Sequence, residues 1–291
     1  MTAAPTAPPA SPSLVPPEAS KKPAWKRRVN PRILVVLIVF LAVWQVASMF
    51  TKSYIVPPIP KVAGDIGTIL STSTGLQNLF TTLARVAVGL ICSFAAGVAV
   101  GLLTGASAKA AGYLLPVVRF IQGIPSLSWV VIAVIWFQGV ELRVWFVILL
   151  VTLPGFALQT YDSYRAIPAE LRDMARSFRP GRWELFREIT LPGITPGLFT
   201  AWKVNLGLGI RMVLVAELVG ATIGVGSALL TAQQLFDMAS VVAWTLLLAI
   251  CMLLLQAAVD GIETYALRYR AIPQAAARQS EITAELATPK G

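Results

Sequence analysis

Long apolar runs that are almost free of charge narrow what this chain can fold into more than any other feature. The first, Ile33 to Thr51, holds no charged side chain and is close to the ~20 residues a helix needs to cross a bilayer. Five more candidates follow: Leu79 to Gly105, Leu115 to Val140, Val144 to Tyr161, about Gly193 to Ile223, and Val241 to Ile262. The expected fold class is therefore an all-α integral membrane protein with six transmembrane helices. A β-barrel would need alternating segments of about 10 residues, and these runs are too long and too evenly apolar. Charged residues make up only 13% of the 291, against roughly 25% in soluble domains. A soluble fold would leave large apolar patches in water. Gly97, Gly101, Pro125 and Pro154 lie inside runs, where neighbouring helices can re-satisfy freed backbone groups.

Residues 1 to 32 differ in kind. Prolines alternate with Ala and Ser, and the basic run Lys21, Lys22, Lys26, Arg27, Arg28 follows. Too little apolar surface is available to order this stretch, so it reads as a disordered tail beside anionic headgroups. A cleaved signal peptide is the rival reading, but signal h-regions span only about 7–15 residues, so an uncleaved first helix is expected. With the N-terminus inside, the inner connections hold 17 Lys and Arg, and the outer ones only Lys52, Lys61 and Arg143. Both termini are thereby assigned to the cytoplasm. The expected domains are the tail 1–32, a membrane domain 33–264 with its long inner loop at 162–192, and a cytoplasmic tail 265–291.

Composition also excludes chemistry. The chain has no histidine, which removes histidine acid–base catalysis, Ser/His/Asp triads and the usual zinc-enzyme ligand sets. Cys92 and Cys251 each sit in an apolar run, where a thiol behaves as a small hydrophobe. The net charge of +10 is spread between hydrophobic segments, a membrane-topology pattern and not a nucleic-acid-binding module. No phosphate loop of the GxxxxGK[ST] kind occurs, so no nucleotide or other cofactor is expected on this chain.

The longest inner connection, Tyr164 to Pro192, is amphipathic in two pieces. Pro168 suits the first position of a helix, and Leu171, Met174, Ala175 and Phe178 fall at helical spacing on one face, with Glu170, Arg172, Asp173 and Arg176 elsewhere. Pro180-Gly181 breaks the pattern; Trp183, Phe186 and Ile189 restart it. Such a segment could rest in the lipid headgroups or lay its apolar face in a groove on a cytoplasmic partner. Six cations and five anions between Asp162 and Pro192 make it less uniformly basic than a pure lipid-surface helix.

The stretch Asp173 to Pro192 resembles the EAA loop of ABC importer permeases: Glu-Ala-Ala, three residues, Gly, nine residues, Ile, one residue, Leu-Pro. Asp173, Met174 and Ala175 fall on Glu-Ala-Ala, and Ile189, Leu191 and Pro192 on its end. Arg179 departs from the glycine, with Gly181 two residues later as the candidate for the turn. Three further pieces, within a likeness covering roughly residues 33 to 272, are similar to the nitrate/sulfonate/taurine branch: Thr82-Leu83-Ala84-Arg85-Val86, Ile124-Pro125-Ser126-Leu127-Ser128-Trp129, and Val215-Ala216-Glu217-Leu218 with Gly224-Val225-Gly226. Val131 stands where that branch often has proline. The resemblance implies an inner-membrane transporter subunit, not an enzyme. It would pair with a second permease subunit, a paralogue or, more simply, a second copy of itself, bind cytoplasmic ABC ATPases through Glu170 to Phe186, and receive solute from an external binding protein. The solute would be a sulfonate, taurine, nitrate or, in relatives, a vitamin precursor.

Charges inside the spans form a second group, since each costs at least ~2.5–3.5 kcal/mol at the bilayer centre and is expected to face protein or a watery cavity. Arg85 and Glu217 fall at similar outer depth and are expected to pair, bracing the path or simply holding helices together. Arg211 is either an attractor for anions, through its fork of donors, or a strut to a backbone carbonyl. Pro125 with Ser126 and Ser128 either lines the path at a helix break or makes a plain kink. Gly207 and Gly209 suit close helix approach or bending. An ion-coupled secondary transporter is the more distant alternative; it would need midplane acids and usually an internal repeat, and Glu217 is the only acid well inside a span.

Overall fold

The computed structural model describes residues 31–177 and 181–268. Among these residues every regular element is helical: α1 (Pro31–Phe50), α2 (Ile59–Ser71), α3 (Ser73–Ala106), α4 (Ala108–Gly123), α5 (Ser126–Trp136), α6 (Val140–Arg165), α7 (Ala169–Ser177), α8 (Arg182–Leu185), a π-turn (Phe186–Thr190), α9 (Leu191–Leu218), α10 (Val225–Gln234) and α11 (Met238–Ala266). The chain divides into two units, 1–43 and 44–291. The described part of the first is the start of α1, uncharged from Ile33 onward.

In the second unit, α3, α6, α9 and α11 are each long and apolar enough to cross a membrane. The run expected as one span from Leu115 to Val140 is instead α4 and α5, bent by 92° at Ile124-Pro125. Pro125 has no N–H to continue the α4 ladder and pushes Ile124 into extended backbone at ψ 128°. Two short helices, α2 and α10, were not anticipated, being too short to register as spans. The run expected from Gly193 begins earlier: residues Trp183–Leu218 form one continuous helix. Pro192, expected to close the loop, lies within it. Its missing N–H widens the ladder just before it, where Leu191 N–H bonds the Phe186 carbonyl in a π-turn.

The α3–α6 contact is a seam of small residues at four-residue spacing. Gly89, Ser93, Gly97, Gly101 and Gly105 form one stripe of α3. A Cβ at any of the four glycines would lie 2.5–2.7 Å from Ile148, Phe156, Thr160 or Tyr164 of α6. Such stripes drive helix association in lipid, where apolar burial gives little preference between protein and acyl chain. Gly207 and Gly209 also serve close approach, to Met252 and Leu90 at 3.0 and 3.1 Å from an added Cβ. Beside the seam, Phe94, Phe156 and Trp202 cluster with ring centroids 5.4–5.6 Å apart. Buried Thr152 and Thr160 return their hydroxyls to carbonyls of α6 at 2.8 and 2.7 Å.

Candidate functional site

The bundle holds a knot of charge at one end. Arg85 of α3 and Glu217 of α9 meet at 2.7 Å, with Glu217 wholly buried. On the other side, Arg85 Nε lies 3.1 Å from both Glu141 oxygens and Nη2 lies 2.5 Å from Oε1. Thr82 Oγ1, 2.9 Å from both Glu217 oxygens, donates to the carboxylate and accepts from Val225 N–H at 2.8 Å. Gly226 N–H donates to Glu217 Oε2 at 2.8 Å, and the Ile223 carbonyl accepts from Arg85 at 2.7 Å.

The segment between α9 and α10 is thus wrapped onto the carboxylate by its own backbone. Gly224 makes this possible: its φ is 132°, and a Cβ there would fall 2.6 Å from the Glu217 carboxylate. Asn78 Oδ1 accepts from Gly224 N–H at 2.9 Å, and Arg143 donates to the carbonyls of Val219, Phe137 and Gln138 at 2.9–3.0 Å. Charge-assisted bonds of this kind are the strong ones, and here they join α3, α6, α9 and α10.

Sequence reasoning placed Arg85 and Glu217 at one depth but missed Glu141, Thr82 and Asn78. Glu141 was legible in principle as an acid immediately beyond an apolar run. Lys203, left unassigned, pairs with Asp260 at 2.7 Å and with Glu263 on α11; the i, i+3 spacing of those acids was the available signal.

Arg211 is not part of the knot. It is exposed and makes no hydrogen bond or ion pair among the described residues. Six residues from Glu217, it projects about 120° away around α9.

At the α4–α5 break a cavity of about 360 Å³ opens beside Pro125 and Ser126; Gln122, Trp129, Gly155 and Asn205 also line it, and Ser128 does not. Asn205 is 1% exposed, donates from Nδ2 to the Ala201 carbonyl at 2.9 Å, and has no partner for Oδ1. Sequence reasoning did not single it out, because one Asn in a long run gives no sign of where its amide ends.

The amphipathic loop forms α7, as its periodicity suggested. Leu171 and Met174, three residues apart, are 42% and 56% exposed, and Glu170, Asp173 and Gly181 are also exposed. After the break, Trp183 stacks on Phe186 with centroids 5.7 Å apart and stays 71% exposed. At the root of α7, Ile167 is buried and a cavity of about 230 Å³ opens beside Pro168, Leu171, Gly193 and Pro196. Phe178 and Arg179 lie outside the described residues, as do the tails 1–30 and 269–291; nor is the side chain of Ala175 described.

Residues 93–268 match the family described as the binding-protein-dependent transport system inner membrane component. The putative aliphatic sulfonates transport permease protein SsuC of Bacillus subtilis is 26% identical, over 86% of this chain and 91% of that protein. The taurine transport system permease protein TauC of Escherichia coli is 24% identical over 81% and 90%, and the nitrate import permease protein NrtB of Synechocystis 25% over 68% and 76%. In fold, the chain is similar to one in inward-facing structures of the MetNI methionine ABC transporter, with a TM-score of 0.60 at 21% identity, over 65% of this chain and 94% of that one.

Proposed function

Since the chain belongs to the binding-protein-dependent transport inner-membrane family, the multi-pass permeases of ABC importers, we propose that it forms the translocation path for a small anion such as a sulfonate, taurine or nitrate. An external binding protein delivers the solute. Two copies of the chain pair around the path, the simplest closed arrangement. Separate cytoplasmic ATPase subunits supply the energy, consistent with the lack of a phosphate loop here. In this arrangement the chain crosses the inner membrane six times over 33–264, α1 being one crossing and the bent pair α4–α5 another, broken one, with α7 and both tails cytoplasmic.

The observation that carries the reading is α7. A nine-residue helix is held between two membrane-crossing helices with Leu171 and Met174 exposed, which suits insertion into a groove on a partner. We assign Glu170, Leu171, Asp173, Met174, Ala175, Phe178, Arg179, Gly181 and Phe186 to ATPase coupling. ATP-driven movement of the partner then pushes on α7. Through the continuous helix Trp183–Leu218, the push reaches the far side of the membrane. Arg85 and Glu217 brace that end of the path, Pro125, Ser126 and Ser128 border it at the break, and Arg211 attracts the anion.

The test is co-purification with the cognate ATPase in lipid, comparing wild type with an Asp173→Arg, Ala175→Arg double variant. Wild type should retain the ATPase and stimulate ATP hydrolysis, and the variant should do neither. Equal retention by both proteins would return α7 to the lipid headgroups and remove the coupling assignment.

A further inference from the structure

Helix α10 joins two regions of unlike chemistry. At its start, the Val225 and Gly226 N–H groups bond Thr82 and the Glu217 carboxylate. At its other end, ten residues or about 15 Å of helical rise away, the turn into α11 presents Leu235 and Phe236, 73% and 77% exposed. The turn is closely bonded: the N–H groups of Leu235, Phe236 and Asp237 donate to the carbonyls of Thr231, Gln233 and Ala232 at 2.9–3.1 Å. Phe236 takes a φ of 55°, a left-handed backbone that bulky side chains rarely adopt. A phenylalanine held there in the open is a cost that packing within the chain does not offset, and strain of this kind gathers at functional segments.

Beside this tip lies a polar cavity of about 340 Å³. Asn78, Ser227, Thr231, Asp237 and Ser240 line it, together with Leu235 of the tip. Asn78 also accepts from Gly224 N–H at 2.9 Å, so the cavity sits against the segment that wraps Glu217. Its one charged lining residue, Asp237, pairs with the exposed Lys61 at 3.3 Å. Asp65 stands one turn along α2 from Lys61, and its Oδ2 is buried with no hydrogen-bond partner among the described residues. Two carboxylates thus neighbour one ammonium, an imbalance complementary to a further cation.

We propose that the Leu235–Phe236 tip and the cavity beside it form the docking surface for the external binding protein, which seats the tip in an apolar recess and sets a Lys or Arg side chain against Asp237. The inference rests on the permease reading, which puts the knot and α10 at the external end, opposite α7. An apolar tip beside polar and charged groups has the make-up of an interface anchor inside a polar rim. Lipid headgroups are the rival occupant at this end. Anionic headgroups attract basic segments and here meet a carboxylate surplus, and a turn that only anchors in headgroups needs no cavity beside it. A partner docked on the tip bears on α10, whose first turn bonds Thr82 and the Glu217 carboxylate, so its load reaches the knot along one helix.

The experiment measures equilibrium binding of the purified cognate binding protein to the full chain assembled with its ATPase in lipid nanodiscs. The Leu235→Ser, Phe236→Asn variant removes the apolar tip while asparagine suits the left-handed backbone, and affinity should fall at least about tenfold, as on loss of an interface anchor. Lys61→Ala should act the other way and tighten binding several-fold at low salt, because it frees Asp237 for the partner's cation; high salt should abolish the gain. Unchanged affinity in either variant, or weaker binding by Lys61→Ala, would overturn the proposal, and a tip that serves only the headgroups gives unchanged affinity. Retention of the ATPase reports assembly, and should the tip variant fail to assemble, Lys61→Ala decides alone. Wild type that holds the ATPase but no binding protein strikes the delivery step of the permease reading together with this surface, whereas wild type and variants that bind alike strike the surface alone.

Discussion

The charged knot around Glu217 and the apolar face of α7 invert each other. In the knot, charges sit where charge is expensive, and each is answered from within the chain: Arg85, Thr82 and Gly226 all donate to the Glu217 carboxylate. On α7, apolar side chains sit where burial would be favourable, and Leu171 and Met174 stay uncovered. The first region is complete in one subunit. The second is arranged for something outside it. Structural integrity and coupling should therefore separate cleanly under mutation.

The largest effect is expected at Glu217. Glu217→Ala leaves Arg85 with Glu141 as its remaining carboxylate and strips the Gly226 N–H and the Thr82 hydroxyl of their acceptor. Removing one partner of a buried pair costs about 3–5 kcal/mol, read as loss of folded protein on heating in lipid or detergent. A variant as stable as wild type would mean that Arg85 and the α9–α10 segment re-pair without it. By contrast, the Asp173→Arg, Ala175→Arg variant should lose ATPase binding while its stability stays within about 0.5 kcal/mol, the usual range for substitutions away from a buried network. A strong fall in its stability would erase the distinction between the two regions.

Arg211 lies between these extremes, a cation in a membrane helix that is neither buried nor paired among the described residues. Arg211→Gln should lower anion uptake several-fold without releasing the ATPase, and unchanged uptake in vesicles would remove it from the path.

The smallest effect is expected at the exposed Lys61–Asp237 pair, 3.3 Å apart, which ties α2 to the start of α11. Ser240 donates to the Asp237 carboxylate at 2.8 Å and, with Lys61, holds its pKa below the ordinary carboxylate value. A depressed acid stabilises the fold above its unfolded pKa, and that contribution fades as pH falls through the folded value, so the loss belongs below about pH 4. The pair is largely solvent-screened, and Lys61→Ala should cost less than about 1 kcal/mol. The check is thermal unfolding of wild type and variant at neutral pH and at pH 3, where the gap should shrink.

Much of this was legible along the chain. Apolar length located α3, α6, α9 and α11, and the four-residue rhythm of the loop located α7, because both signals are local and repeat within one element. Arg85 and Glu217 could be set at one depth by counting residues from the run ends. Their pairing with further partners is not a local signal: Glu141 and Thr82 reach the knot from 56 and 135 residues away along the chain from Arg85 and Glu217 respectively. The Leu115 to Val140 run hid its break for a related reason. Its composition is continuous, and only the 92° turn at Ile124-Pro125 separates one span from two helices.

The sequence by itself determined the class of molecule: a chain of charge-free runs long enough to cross a bilayer must satisfy its backbone in helices, and its Leu-Pro-ended loop marks the importer resemblance. Only the tertiary structure decided which polar groups are satisfied. Glu217 ends fully bonded and Asn205 keeps an acceptor without a donor, although both are polar residues of the same helix, α9. That difference depends on which neighbouring helix each faces, here a loop rich in N–H groups and there a glycine, and no local pattern along α9 encodes it.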